Sequence, residues 1–259
     1  MIPLLNTLLF AVVYVGGSAE LRDRMLQHTD LQQPGLRMVQ LARQSLGRPY
    51  RAFSLDQAPE QLRIDLTGFD CFLFVEQLLA LAVEDTRVGF EQRVRQLRYQ
   101  GGSVDYCTRQ HYFSRWSQQA QASGLLQDIT PALPGAIRRQ RRLNFMSTNQ
   151  QSYAPLRQAR HRECIEDLES NLVVQQSYIP LPRVAEVEPL LRDGDIFALV
   201  TRVSGLDVTH VGFVERSGPH VHAIHAAPGR GVMRSHQLSR YASGVDDVIG
   251  LSFHRPLQP

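Results

Sequence analysis

The stretch Gly68-Phe69-Asp70-Cys71-Phe72-Leu73-Phe74-Val75-Glu76 predicts the start of a buried helix with a cysteine in its first turn. Asp70 is a typical N-cap residue, and the apolar residues that follow it continue at helical spacing. A thiol at a helix N-terminus lies at the positive end of the helix dipole, which favours the thiolate. Cys71 is therefore a candidate nucleophile, although a free cysteine is more often a small buried apolar residue.

Two histidines downstream are predicted to share one face of a β-hairpin. Residues 207–214 and 220–226 are typical of short strands, and residues 216–219 are predicted to form a four-residue turn between them. In that register Glu215 faces His220, and His210 lies directly opposite His225. The two imidazoles are then close enough for His225 to orient His210. The sequence therefore predicts a catalytic triad of Cys71, His210 and His225.

The pattern His220-x-His222-x-x-His225 is also compatible with a metal site, but strand geometry argues against this alternative. Side chains alternate between the two faces of a strand, so His222 and His225 point to opposite sides unless a bulge intervenes. We therefore expect His220 and His222 to face solvent, and we expect neither a metal site nor an organic cofactor.

Seven motifs follow one another along the chain: Leu46-Gly47-Arg48-Pro49-Tyr50, Phe69-Asp70-Cys71 with Phe74-Val75-Glu76, Tyr106-Cys107-Thr108-Arg109-Gln110-His111-Tyr112-Phe113, Asn144-Phe145-Met146-Ser147-Thr148, Asp193-Gly194-Asp195-Ile196, Gly205-Leu206-Asp207-Val208-Thr209-His210-Val211-Gly212 and Ile224-His225-Ala226. In this order they resemble the motifs of the NlpC-type cell-wall hydrolases, bacterial relatives of papain. More narrowly, they resemble the N-acetylmuramoyl-L-alanine amidase-like branch of that family. The resemblance extends from about Leu41 to Phe253.

The resemblance implies a papain-like α+β core in which Cys71 is the nucleophile, His210 the base and His225 the orienting residue. It also implies that the chain binds peptidoglycan or a muropeptide. The implied reaction cleaves the amide between N-acetylmuramic acid and L-alanine through a cysteine thioester. Two alternatives stay open, namely a γ-D-glutamyl-diaminopimelate endopeptidase that uses the same triad and a non-catalytic muropeptide-binding module.

Polar residues in and near these motifs are the candidates for substrate contacts: Tyr50, Asp70, Tyr106, Arg109, His111, Asn144, Thr148 and Asp207. A guanidinium binds a carboxylate through two parallel hydrogen bonds, so Arg109 is the first choice for a carboxylate of the stem peptide. The alternative for Arg109 is an ion pair within the domain. Asp70 is expected to cap the helix and to contact substrate, and Asp207 to order the turn before the His210 strand.

The order of the predicted elements indicates an α+β layout in which the nucleophile helix packs on an antiparallel sheet. The predicted helices span residues 38–46, 71–83, 90–97, 111–122 and 153–172, and the predicted strands span 196–203, 208–214, 221–226 and 248–254. Residues 101–182 are expected to form a helical and irregular insertion beside the cleft. Within it, Arg138-Arg139-Gln140-Arg141-Arg142 is interpreted as a solvated loop, and substrate contact is the alternative.

The first 19 residues resemble a secretory signal peptide, because an apolar run from Ile2 to Val15 precedes the small-x-small pattern Gly17-Ser18-Ala19. An apolar first helix packed on the domain is the alternative. We therefore predict a signal peptide over 1–19, a single catalytic domain over 20–259, and a periplasmic or otherwise exported protein without stable membrane insertion after cleavage. In that compartment Cys107 and Cys164 either form a disulfide or remain two buried thiols.

Length and composition fit one enzyme-sized domain, with 259 residues of which 43% are hydrophobic. All 28 basic residues are arginine, and the net charge of +3 is too small to suggest a nucleic-acid partner. The mild positive charge suits an anionic wall polymer as partner. We expect the protein to be a monomer.

Overall fold

The computed structural model describes residues 12–27 and 33–258; residues 1–11, which hold most of the predicted signal peptide's apolar run, lie outside this part. The helices are α1 (Ser18–Gln27), α2 (Pro34–Gln44), α3 (Cys71–Val83), α4 (Arg87–Arg98), α5 (Phe113–Ala122), α6 (Phe145–Thr148), α7 (Ala159–Ser170), α8 (Val184–Val187) and α9 (Leu238–Ser243). The strands are β1 (Val12–Tyr14), β2 (Leu62–Ile64), β3 (Leu126–Asp128), β4 (Ile137–Arg142), β5 (Val173–Pro180), β6 (Ile196–Thr201), β7 (Val208–Ser217), β8 (His220–Ala227), β9 (Gly231–Gln237) and β10 (Val248–Pro256).

The main sheet is antiparallel, with the strand order β4-β5-β10-β6-β7-β8-β9, and β3 pairs with β10. Its central strand β6 is buried along its whole length. Ile196 and Ala198 pack into a core shared with α2, α3 and α4, whereas Phe197 and Leu199 pack into a second core shared with α8 and α9. This alternation places helices on both faces of the sheet. The predicted mixture of helices and an antiparallel sheet is confirmed.

Helix α3 begins and ends at the residues that the sequence predicts, Cys71 and Val83. The Asp70 carboxylate caps the helix, because its Oδ1 accepts a hydrogen bond from the Leu73 N–H at 2.7 Å. The Phe74 ring packs on the Phe213 ring of β7 with centroids 5.2 Å apart. The cap and this ring contact together fix the start of α3 against the sheet.

Glu76, to which the sequence assigns no role, holds α3 and α4 together inside the first core. Its Oε1 accepts hydrogen bonds from Nε of Arg98 at 2.9 Å and from Nη2 at 2.6 Å. Both side chains are almost completely buried. Removing one partner of such a pair leaves an uncompensated buried charge, so Glu76 and Arg98 form a structural unit.

The segment 101–182 differs from the predicted helical insertion, because it contributes β3, β4 and β5 to the main sheet. The arginine-rich stretch is strand β4, paired with β5 from Ile137 opposite Tyr178 to Arg142 opposite Val173. The interpretation as a solvated loop was therefore wrong. Arg139 donates to the carbonyl of Thr201 at 2.9 Å and Arg141 donates to that of Leu206 at 3.2 Å, so alternate arginines tie this edge strand to the end of β6 and to the loop before β7.

Cys107 and Cys164 form a disulfide, with their Cα atoms 5.7 Å apart. The bond joins a single turn of 3₁₀ helix at Tyr106–Thr108 to α7. Of the two alternatives that the sequence left open, the structure has the disulfide rather than two buried thiols. Cys71 is the free cysteine of the described residues.

The described residues of the predicted signal peptide contact the domain. Strand β1 pairs in parallel with β2. Ser18, the first residue of α1, is buried; its hydroxyl donates to the Val15 carbonyl and accepts from the Leu66 N–H. The predicted cleavage point after Ala19 lies inside α1, so cleavage there removes β1 and the start of this helix. The signal peptide itself stays a prediction.

Membrane crossing by an α-helix requires about 20 predominantly apolar residues. Across residues 12–27 and 33–258, none of the helices meets this requirement for length and apolarity.

Candidate active site

Cys71 is the first residue of α3 and is half-buried. The backbone N–H groups of Val211, Cys71 and Phe72 favour negative charge on its sulfur and so act to lower the pKa of the thiol. Val211 lies on β7 and directly follows His210. The packing of α3 on β7 therefore brings the thiol to the strand that carries the predicted base.

Strands β7 and β8 form a hairpin whose turn is Gly218-Pro219, with Ser217 paired to His220 and Glu215 paired to His222. The predicted four-residue turn was wrong, because β7 continues for two residues beyond Glu215. The true register differs from the predicted one by two residues, and a shift of two keeps every side chain on its face. His210 and His225 are consequently diagonal neighbours rather than directly opposite.

The two imidazoles nevertheless meet, with Nε2 of His210 2.8 Å from Nδ1 of His225. One of these nitrogens must donate a proton to the other. A base role for His210 requires its proton on Nε2, which leaves Nδ1 free to accept a proton from a thiol. His225 then accepts at Nδ1 and carries its own proton on Nε2, an atom that is buried without a partner in the described part of the chain.

Tyr241 on α9 is a residue of this site that sequence reasoning missed. Its hydroxyl lies 3.4 Å from Nδ1 of His225, and the two rings are 4.6 Å apart between centroids. Burial raises the pKa of the Tyr241 hydroxyl, and negative charge on the Cys71 sulfur acts in the same direction. The segment around Tyr241 carries no motif, so the fold alone reveals this contact.

Electrostatics make Cys71 a thiol in the free protein. Burial, followed by the Asp70 carboxylate, raises the pKa of the Cys71 thiol to about 12, while the three backbone N–H groups act in the opposite direction. A helix dipole contributes roughly 0.3–1 kcal/mol, which is less than one pKa unit. Desolvation therefore outweighs the dipole. The predicted preference for the thiolate was wrong, and Cys71 needs a base to become a nucleophile.

The two histidines are neutral at pH 7. Burial lowers the pKa of His210 to about 3, with a smaller contribution from His225, and burial lowers the pKa of His225 to about 4. A neutral imidazole has one nitrogen that accepts a proton. General-base-assisted attack on a carbonyl carbon requires a neutral thiol and a neutral base of this kind.

Tyr50 and Asp70, two of the predicted substrate residues, lie beside Cys71. Tyr50 bridges to Phe69 by backbone pairing. Burial raises the pKa of the Tyr50 hydroxyl, and the charges of Cys71 and Asp70 raise it further. Burial also raises the pKa of Asp70, to about 6, against the hydrogen bond from the Leu73 N–H. Asp70 therefore combines its capping role with a position next to the thiol.

Asp207 directly precedes β7. Its carboxylate is buried and accepts hydrogen bonds from the N–H of Ser114 at 2.7 Å and of Val208 at 2.8 Å. The first contact anchors it to α5 and the second orders its own backbone. Asp207 thus fixes the approach of the chain to His210, and its role in the structure is positioning.

Tyr106, Arg109 and His111 form a cluster of their own next to the disulfide. The Arg109 guanidinium is buried, lies over the Tyr106 ring at 4.7 Å, and pairs with the Asp56 carboxylate at 2.9 Å. Of the two roles that the sequence left open for Arg109, the structure therefore shows the ion pair within the domain. Nε2 of His111 lies 2.8 Å from the Tyr106 carbonyl oxygen, and burial lowers the His111 pKa to about 3.

Asn144 and Thr148 belong to the ends of α6. The Asn144 N–H donates to the Gly205 carbonyl at 3.0 Å, and the Thr148 hydroxyl donates to the Asn144 carbonyl at 2.8 Å. Gly205 has a φ of +74°, and a Cβ atom there would lie 2.5 Å from Oδ1 of Asn144. These contacts connect α6 to the loop before β7 rather than to the histidine pair.

His222 lines the same cleft as His210 and His225, contrary to the prediction that it lies on the opposite face. The pairing of β8 with β9 shifts between His222 and Ile224, so strict alternation does not hold there. Nδ1 of His222 lies 3.2 Å from the Ser235 carbonyl oxygen, and His220 is exposed as predicted. Within residues 12–27 and 33–258, no three histidine, cysteine or acidic side chains gather as a metal site.

Comparisons with known proteins found one family model and several similar solved structures. A family model described as AmiA-like, N-acetylmuramoyl-L-alanine amidase-like, matches residues 40–246. The solved structure of an N-acetylmuramoyl-L-alanine amidase from Bacteroides uniformis has a TM-score of 0.81 and 28% identity, over 87% of this chain and 99% of that chain. No curated protein matches the sequence.

Two further structures are similar to this chain. A proposed xylanase from Bacteroides fragilis has a TM-score of 0.78 and 29% identity, over 83% of this chain and 99% of that one. A Legionella pneumophila protein has a TM-score of 0.76 and 21% identity, over 94% of this chain and 96% of that one, and it shows a common fold.

Proposed function

Because the chain belongs to the AmiA-like, N-acetylmuramoyl-L-alanine amidase-like family, we propose that it is a peptidoglycan amidase that cleaves the bond between N-acetylmuramic acid and L-alanine. The observation that carries the cysteine mechanism is the contact between His210 and His225 on the sheet against which the Cys71 helix packs. The Cys71 thiol lies at the start of α3 against Val211, the preceding residue is His210, and the His210 ring is 2.8 Å from His225. Nucleophile, base and orienting residue follow the papain-like, NlpC-type order along the chain.

The proposed reaction begins with proton transfer from the Cys71 sulfur to Nδ1 of His210. The sulfur attacks the carbonyl carbon of the lactyl group, and the C–N bond breaks as His210 returns the proton to the L-alanine amine. A water molecule then gives a proton to His210 and attacks the thioester, which releases the muramyl carboxylic acid and restores the thiol. The Cys71 backbone N–H is our candidate donor for the oxyanion in both steps.

An amide is favoured over a glycosidic bond by the side chains at the site. Glycoside hydrolysis ordinarily uses two carboxyl groups about 5–9.5 Å apart across the scissile bond. No acidic residue lines the cleft beside His210 and His225 in the described part of the chain. Asp70, the acid next to Cys71, is engaged as the cap of α3. These features support acyl transfer rather than the chemistry of a xylanase.

Digestion of a defined muropeptide tests the proposed bond. We expect mass spectrometry of N-acetylmuramyl-tetrapeptide after incubation to give free N-acetylmuramic acid and the intact tetrapeptide. A muramyl dipeptide as product supports the γ-D-glutamyl-diaminopimelate endopeptidase instead. Muropeptide that binds but stays uncleaved supports the non-catalytic binding module.

We expect kcat/KM for this digest to stay level from about pH 7 down to about pH 5. His210 acts as a neutral base, and burial lowers its pKa to about 3, so the active form is lost only as the pH falls through that low value. An ordinary imidazole titrates near pH 6.5. The profile is measured with circular dichroism as a check of folding at each pH. An acid limb centred near pH 6.5 in the folded protein contradicts the buried neutral base.

We further propose that the protein acts in the periplasm or is otherwise exported, because peptidoglycan lies outside the cytoplasmic membrane. N-terminal sequencing of the protein from fractionated cells tests this proposal. A mature chain that begins near Glu20 supports the predicted signal peptide. An intact Met1 in the cytoplasmic fraction contradicts it, and the contacts of β1 and Ser18 then belong to the working enzyme.

A further inference from the structure

A cleft of about 720 Å³ lies beside the histidine pair and is bordered by β8, β9 and α9. His210, His225 and Tyr241 form one wall of it. The remaining charged and titratable side chains that line it are Arg230, Arg234, Arg240, His222 and His236. No acidic side chain lines the described walls of this cleft, so its basic side chains favour the binding of an anion.

Two of the three arginines carry charge that the described part of the domain does not neutralise. Arg234 pairs with Glu215, which also holds Arg43. Arg230 and Arg240 are exposed, and among the described residues neither has a carboxylate within 4.0 Å. Guanidinium groups bind carboxylates with two parallel hydrogen bonds, so Arg230 and Arg240 are suited to a ligand that carries carboxylates.

The charges of the two halves of the substrate indicate which half lies on this side. His210 lines the cleft and must reach the leaving amine to return the proton. The acyl half on Cys71 is also within reach of His210, so the choice between the halves rests on their charges. In a muramyl amide the lactyl carboxyl is part of the scissile bond, so the sugar half carries no carboxylate, whereas the stem peptide carries several.

We infer that this cleft binds the stem peptide, the leaving half of the substrate, and that Arg230 and Arg240 bind its carboxylates. The inference rests on the proposed function for the direction of the substrate. It replaces Arg109 as the carboxylate-binding residue, because the Arg109 guanidinium already pairs with Asp56. Arg230 and Arg240 are specificity residues: they touch the peptide away from the reacting atoms.

Calorimetric titration with the free stem tetrapeptide, the product of the proposed reaction, tests this assignment. The probe is compared with a second tetrapeptide in which the carboxylates are carboxamides. We expect the wild-type protein to bind the carboxylate form at least about tenfold more tightly, since charge-assisted hydrogen bonds are about twice as strong as neutral ones. In the double variant Arg230→Gln/Arg240→Gln this preference is expected to disappear.

Arg138→Gln is the matched control, because it removes an exposed arginine from the distant edge strand β4. It should leave both affinities unchanged. With the muropeptide as substrate, the double variant is expected to raise KM about tenfold with little change in kcat, as for an interaction present equally in the ground and transition states.

Equal binding of the two tetrapeptides by the wild-type protein overturns the inference, and so does a preference that survives in the double variant. These outcomes leave the amidase proposal intact if the muropeptide is cleaved. Carboxylate-selective binding that depends on Arg230 and Arg240, in a protein that cleaves no muropeptide, supports the inference and contradicts the proposed activity.

Discussion

The variant Cys71→Ala is expected to lose muropeptide hydrolysis by a factor on the order of 10⁴ or more while it still folds and binds substrate. The proposed thioester requires the sulfur, and no other described cysteine is free to replace it. Folding should be little affected, since the variant keeps the Asp70 cap and the Phe74 contact with Phe213. The assay follows release of tetrapeptide by liquid chromatography, with thermal unfolding and calorimetric binding on the same sample.

A matched variant tests whether activity depends on the sulfur of Cys71 or only on the volume of its side chain. Cys71→Ser keeps a hydrogen-bonding group of similar size, but a hydroxyl is a far weaker nucleophile than a thiol, so its activity should also be close to zero. Turnover within tenfold of wild type in either variant contradicts the cysteine mechanism. Thermal unfolding of the same sample shows whether a variant without turnover is still folded.

Local signals explain why α3 could be predicted at both ends. The cap at Asp70 and the apolar spacing after Cys71 lie within one helix and need no distant partner. The histidine pair was predicted for a similar reason. An error of two residues in the hairpin register leaves the faces unchanged, so His210 and His225 meet although the predicted turn was wrong.

Features that depend on distant partners could not be read from the sequence. The arginine-rich stretch is a strand because β5 pairs with it and because carbonyls at the end of β6 and in the loop before β7 accept from Arg139 and Arg141. Tyr241 reaches His225 only because α9 packs behind the sheet. Arg109 meets Asp56, 53 residues earlier in the chain, and no spacing rule predicts that pair.

The electrostatic error at Cys71 shows which physical effect decides reactivity in this fold. The sequence places the thiol at a helix N-terminus but cannot show how deeply the fold buries it. Burial raises the thiol pKa to about 12 and lowers the His210 pKa to about 3, so neither group is charged before substrate binds. Catalysis then depends on proton transfer within the site, so variants of the two histidines test the mechanism as directly as variants of the cysteine.

The histidine variants are expected to differ in severity according to role. His210→Ala should reduce kcat/KM about as strongly as Cys71→Ala, since members of one catalytic unit do not contribute additively. His225→Gln should lose only about tenfold, because the amide oxygen of glutamine can replace Nδ1 as the acceptor of the His210 Nε2 proton. His225→Ala removes that acceptor and should lose about a hundredfold or more.

The control for this series is His220→Ala, an exposed histidine on the same strand β8 that pairs with Ser217 near the turn and should leave activity unchanged. His222 does not serve as a control, because it lines the cleft. A chelator is expected to have no effect on the wild-type enzyme, whereas alkylation of the thiol should inactivate it. If His225→Gln is as inactive as His225→Ala, or if zinc restores activity after chelation, His225 does not act by accepting the His210 proton and the assigned triad is wrong.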